Sequence, residues 1–116
     1  MTTHIENVSL HQHRLSAAEA ELWIVVTALV PSGELRGGLI GPRCDGVETI
    51  EIAYPLRMHP RPPTEFSGKL VGRVMIPEPN LWTQEMSFHY DGVVELWQAG
   101  VKRDEAPISV GFRAGE

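Results

Sequence analysis

From Leu22 onward the even positions are Leu22, Ile24, Val26, Ala28 and Val30, all apolar. The odd positions bring in Glu21 and Thr27, with Trp23, Val25 and Leu29 between them. A period of two predicts a strand with one buried face and a partly covered second face. The β-branched residues favour the same reading, and Pro31-Ser32-Gly33 supplies the turn that ends it. The alternation is cleanest from Phe88 to Trp97. Phe88, Tyr90, Val94 and Leu96 share one face, and His89, Asp91, Glu95 and Trp97 share the other. Asp91-Gly92 is a hairpin signal inside this run. The pattern nevertheless continues in phase through the glycine, which predicts one strand rather than two.

Other segments repeat the pattern. Ile5 to His13 is expected to be the first strand, with Val8 and Leu10 inward. Leu35 to Ile40 is a short strand in which Gly37-Gly38 marks an expected bulge. Gly41-Pro42 and Asp45-Gly46 read as turns. Val47 to Tyr54 alternates, with Ile50, Ile52 and Tyr54 on one face and Thr49 and Glu51 on the other. The prolines from His59 to Pro63 make a loop, because they remove ladder donors. Lys69 to Ile76 places Leu70, Val74 and Ile76 inward, and Pro107 to Arg113 does the same for Ile108, Val110 and Phe112. Ser16 to Glu19 has a serine cap and a glutamate three residues later, but it is too short for more than a turn. About seven strands with turn signals roughly every 8–12 residues predict an immunoglobulin-like antiparallel β-sandwich. It occupies residues 1–116 as one domain. Cys44 is the only cysteine, so the fold is expected to hold without an internal disulfide.

Charge narrows the function. The formal net charge is −5, and the basic residues are scattered among carboxylates. A duplex binder needs a basic face to neutralise phosphates, so nucleic acid is not an expected partner. The start of the chain lacks a basic stretch followed by an apolar one, so no signal peptide is read. The longest apolar run, Leu22 to Val30, falls well short of the roughly 20 residues that span a bilayer. A cytoplasmic protein without membrane attachment is expected.

One stretch is more specific. Leu81-Trp82, Glu85 and Tyr90 are followed by Asp104 and then by Gly111-Phe112-Arg113. This order resembles the close of the immunoglobulin-like middle domain in the glycoside hydrolase family of β-galactosidase, β-glucuronidase and β-mannosidase. Gln84 and Ser87 stand where that family's motif has prolines. The resemblance implies a sandwich that is accessory to a catalytic barrel. It also implies that the catalytic glutamates lie on the barrel, so no catalytic residue carries over. Within the motif the expected roles are structural. Trp82 plugs an open end of the sandwich, and Tyr90 buries its ring while its hydroxyl bonds the backbone. Gly111 allows close approach beside Phe112, and Arg113 is expected to pair with Asp104.

The remaining candidates are few. His11 and His13 share a strand face at a spacing that binds zinc if a third ligand converges, with His4, His59 and His89 as possible partners. Cys44 sits beside Arg43 without a histidine nearby in sequence to act as its base. Trp23 and Trp97 point outward and can stack on sugars or anchor a protein; on opposite sheets they cannot form one platform. The expected function is a non-catalytic structural or interaction module, with a protein partner or a second copy bound and no cofactor. A carbohydrate-binding module using the tryptophans is the alternative. A small metal-dependent enzyme around His11 and His13 comes third.

Overall fold

Eight strands form two antiparallel sheets of four, in the computed structural model that describes residues 3–30 and 32–113. The strands are β1 (Ile5–Leu15), β2 (Glu19–Ala28), β3 (Glu34–Arg43), β4 (Ile52–Pro55), β5 (Arg57–Met58), β6 (Leu70–Pro77), β7 (His89–Gln98) and β8 (Val101–Val110). One sheet has the order β1-β2-β6-β5 and the other β4-β3-β7-β8. The only helical piece among the described residues is a single turn at Thr64–Phe66. The two-layer all-β architecture is the one the alternation predicts.

The core lies between the sheets. Leu22, Ile24, Val26 and Ala28 of β2 face Leu35 and Leu39 of β3 and Tyr90, Val94 and Leu96 of β7, all buried. The even-numbered face of β2 is therefore the inner one, as its pattern requires. Val25 and Val71 are cross-strand partners on the outer face, yet they too are buried. The segment after β5 lies over this face: His59 and Phe66 meet the Trp23 ring edge-on, with centroids at 4.8 and 6.3 Å. This is the partly covered second face that Trp23 and Val25 signalled.

The long sides of the sandwich are closed differently. On one side the chain passes from β4 in one sheet to β5 in the other, with Leu56 buried at the corner. On the other, Asp104 Oδ2 of β8 accepts the Ile5 amide of β1 at 2.7 Å. Ser16 shapes the β1–β2 turn, its Oγ accepting from the amides of Ala18 and Glu19 at 3.2 Å each.

Several local expectations change. Gly37 and Gly38 pair in register with Val94 and Val93, so they make no bulge; the register breaks later, between Ile40 and Arg43. Gly41-Pro42 lies within β3 rather than in a turn. Of Val47 to Tyr54, only the part from Ile52 is strand, and Ile50 is 87% exposed. Of the expected inner face Tyr54 packs against the core, while Ile50 and Ile52 meet no second layer among the described residues. The last strand begins at Val101, six residues before the expected start. A two-residue turn, Ala99-Gly100, with φ of 51° and 75°, joins it to β7. Positive φ at both positions matches the right-handed twist of the flanking strands. Asp91-Gly92, by contrast, lies inside β7. A Cβ at Gly92 would come within 1.8 Å of the Gly38 carbonyl oxygen, so the glycine serves strand contact and not a turn. Pro31 of the expected turn lies outside the described residues.

Candidate functional site

All the motif residues except Asp104 gather at one end of the sandwich. Tyr90 and Phe112 are both fully buried, with ring centroids 5.5 Å apart. The Tyr90 hydroxyl accepts the Asn80 amide at 3.0 Å, and burial pushes its pKa up. Leu81 packs on the core, while Trp82 is half-buried beyond it. The Trp82 amide donates to the Phe112 carbonyl at 2.8 Å. A Cβ on Gly111 would stand 3.1 Å from the indole Cδ1, so the absence of a side chain lets the ring lie against this backbone. Glu85 is exposed in the turn that Thr83 and Met86 close.

Arg113 and Asp104 are not partners. The Arg113 guanidinium lies 3.9 Å over the Trp82 ring. Asp104 sits far along β8, where its oxygens accept the amides of Ile5 (2.7 Å) and Glu105 (2.8 Å). Those two donors, Ile5 first, hold its carboxyl below the usual range. The two residues belong to one strand and its extension, so no hairpin can fold one onto the other.

Trp23 and Trp97 fall on opposite sheets. His13 stacks on Trp23 with centroids 3.9 Å apart, and His59 meets it edge-on at 4.8 Å. A register shift between Gln12 and Arg14 sets His13 apart from the regular ladder; bulges re-aim side chains in this way. Trp97 carries the Arg36 guanidinium at 4.1 Å. Each indole N–H is held by the glutamate two residues earlier: Trp23 by Glu21 at 2.7 Å and Trp97 by Glu95 at 3.0 Å. His11 bonds Ser9 Oγ at 2.9 Å and packs on Phe66. Among the described residues, no three His, Cys, Asp or Glu side chains converge as a metal site.

A polar cluster on the outer face of the other sheet escaped sequence reasoning. Asp91 accepts the Ser109 hydroxyl at 2.6 Å and meets His89 Nε2 at 3.3 Å and Arg43 at 3.4 Å. Arg43 in turn bonds Glu51. The Ser109 hydroxyl, then His89 and Arg43, hold the Asp91 carboxyl below its ordinary value against the effect of burial. The composition is that of a hydrolytic triad, but the order is not. Nucleophilic catalysis needs the base bonded to the hydroxyl and the acid behind the base. Here the carboxylate stands between serine and imidazole, an arrangement that braces strands. Cross-strand register brings these residues together: Arg43 pairs with His89, and Asp91 with Ser109. No linear motif announces that. Cys44 lines a shallow depression with His89, Asp91 and Glu48.

Beside the motif end opens a cleft of about 520 Å³, lined by Val47 to Ile50, Ile52, Tyr54, Pro77, Glu78, Phe88 and Tyr90 among others. Its exposed wall is the Val47–Ile52 segment that the sequence placed in a strand.

No protein-family model matches this sequence, and no curated protein matches it either. Solved structures do. A β-glucuronidase from Bifidobacterium dentium superposes with a TM-score of 0.63 at 17% identity, over 96% of this chain and 18% of that one. A glycosyl hydrolase family 2 member from Bacteroides cellulosilyticus gives 0.61 at 20% identity, over 95% and 15%. A putative β-galactosidase from Bacteroides fragilis gives 0.55 at 16%, over 94% and 17%. The chain thus spans less than a fifth of each of these proteins. Among the described residues, no helix is long and apolar enough to cross a membrane. The chain has the fold of a sandwich carried by family 2 glycoside hydrolases, as the Leu81-to-Arg113 motif led one to expect.

Proposed function

We propose that this chain acts as a non-catalytic accessory sandwich for a glycoside hydrolase, a structural and docking module without turnover of its own. One observation carries the reading. The most distinctive residues, Trp82, Tyr90, Gly111, Phe112 and Arg113, are engaged in sealing one end of the sandwich. Residues used in this way serve a scaffold. The Asp91 cluster supports the same view, because its serine bonds the carboxylate and its imidazole lies 3.3 Å from that carboxylate, at the other oxygen from the serine. The fold adds context only, since one fold hosts many functions.

The test has two arms. The purified chain is incubated with 4-nitrophenyl β-glucuronide and β-galactoside, with no release expected. It is then mixed with a galactosidase-type catalytic barrel expressed without its own sandwich, and the mass is followed by light scattering. A stable complex, or a raised melting temperature of the barrel, is the expected result. Turnover by the chain alone that disappears in Asp91→Asn would overturn the reading. So would a chain that stays monomeric and leaves the barrel unaffected.

A further inference from the structure

Val47, Ile50 and Ile52 are three of the large hydrophobic residues left exposed, at 40%, 87% and 53%, and they stand within one short segment. Ile50 and Ile52 alternate with Thr49 and Glu51 as in a strand with a buried face, yet among the described residues nothing buries them. Exposed apolar surface of this kind marks an interaction site. The backbone makes the same point. The Cys44–Val47 bridge closes a turn, and pairing with β3 resumes only at Ile52. Between them, Glu48 to Glu51 make no backbone–backbone hydrogen bond among the described residues. They lead directly into β4, the edge of its sheet. An unpaired edge with apolar side chains accepts a further strand.

The segment is tethered. Glu51 bonds Arg43, which is itself fixed by Asp91. The brace described above therefore sets the position of the cleft wall, which lowers the ordering cost of binding.

Charge selects the occupant. Glu48 and Glu78 line the cleft, both exposed, and neither has an ion pair among the described residues. Glu78 is held at φ 46°, a left-handed value uncommon outside glycine. Two copies meeting through this cleft would set these carboxylates against each other, which disfavours self-association.

We infer that Val47–Ile52 and the adjoining cleft form an acceptor edge for an extended segment of a partner protein. That segment alternates apolar and basic side chains. Its apolar residues pack on Ile50, Ile52 and Phe88, and its basic residues pair with Glu48 and Glu78. The inference rests on the docking-module reading and specifies the surface.

The probe is a fluorescein-labelled eight-residue peptide alternating valine and lysine, with a valine–glutamate peptide for comparison, followed by anisotropy. The lysine peptide is expected to bind at least about tenfold more tightly than its acidic counterpart. Ile50→Glu should weaken it at least about tenfold, since a charge replaces an apolar anchor. Glu48→Lys with Glu78→Lys should reverse the preference. Glu65→Lys, outside the cleft, tests net charge alone and should change affinity less than about twofold. Thermal melts confirm that each variant folds. Equal binding of the two peptides, no binding of either, or full affinity in Ile50→Glu overturns the inference. A hydrolase barrel that binds wild type and Ile50→Glu equally well would leave the accessory role standing and remove this surface from it.

Discussion

Removing the Asp104 carboxylate tests how the sandwich is held shut. Asp104 joins β8 to the amide of Ile5, 99 residues away in sequence, with a 2.7 Å bond. It also accepts the Glu105 amide at 2.8 Å. A hydrogen bond to a charged acceptor is worth about 1.5–3 kcal/mol in mutational series. Asp104 is half-buried, and water screens the exposed part of the interaction. The lower end, about 1.5 kcal/mol, is therefore expected for Asp104→Ala. For a chain of this size that lowers the melting temperature by about 6 °C. Asp104→Asn keeps one acceptor oxygen and should cost about half as much. The pH dependence follows from the depressed folded-state pKa. This contribution is complete above the unfolded carboxyl value of about 3.9 and is lost as pH falls through the lower folded value. The gap between wild type and Asp104→Ala in urea unfolding should be full at about pH 7 and close as pH falls through the depressed folded value. Amide exchange at Ile5 reads the same bond locally and should accelerate in the variant. A double-mutant cycle with Arg113→Ala should be additive, because the two side chains do not meet. A coupling above about 0.5 kcal/mol, or an Asp104→Ala protein with unchanged stability and unchanged Ile5 exchange, would refute the assignment.

Three further outcomes are expected. Gly92→Ala should cost about 3 kcal/mol or more, because its Cβ meets Gly38 backbone atoms at 1.8 and 2.8 Å. Gly100→Ala, with open space around it, should cost only about 1 kcal/mol from its left-handed φ; denaturant unfolding of the pair separates contact from conformation. Tyr90→Phe removes the acceptor of the Asn80 amide and should cost about 1 kcal/mol, with the Asn80 amide exchanging faster. Ser109→Ala removes the first-ranking influence that lowers the Asp91 pKa. Asp91 stabilisation is present above about pH 4 and lost as pH falls through its depressed folded value. Carboxyl-carbon titration should show the Asp91 pKa rising toward normal in the variant, and acid unfolding should become less steep.

The strands whose two faces differ in polarity were legible. β2 and β7 alternate over long stretches, and burial followed the alternation even through Gly92. Val47 to Tyr54 shows where that logic stops. Alternation records the preference of a segment to bury one face, not the presence of a partner to bury it. Gly41-Pro42 read as a turn because local chemistry permits one, and the pairing of β3 with its neighbours overrode it. The early part of β8, with Lys102, Arg103, Asp104 and Glu105, carries no hydrophobic face to read. It is a strand because β7 pairs with it. The same limit hid the Asp91 cluster. Arg43, His89, Asp91 and Ser109 become neighbours only through register, which a single sequence does not print. Tyr90 and Phe112 were legible singly from the alternation of their strands, and as members of one end from the resemblance of the Leu81-to-Arg113 order to a known family, which spans distant strands.

The three tryptophans bear on what the outer surface can bind. In each, a planar or cationic side chain already lies over the ring: His13 on Trp23, Arg36 on Trp97 and Arg113 on Trp82. A sugar stacking on the covered face of Trp97 must displace Arg36, forfeiting a cation–π contact of about 0.5–1 kcal/mol and disturbing the Glu34 pair at 2.8 Å. On Trp23 it must displace His13. Stacking there begins at a deficit that a bare aromatic platform does not carry. The Val47–Ile52 wall carries no such occupant. Its apolar side chains face water, Glu48 lacks an ion partner among the described residues, and the backbone of Glu48 to Glu51 is free of the sheet. Binding at that wall buries apolar surface without first breaking a contact within the chain, which favours a protein segment at the cleft over a glycan on the tryptophans.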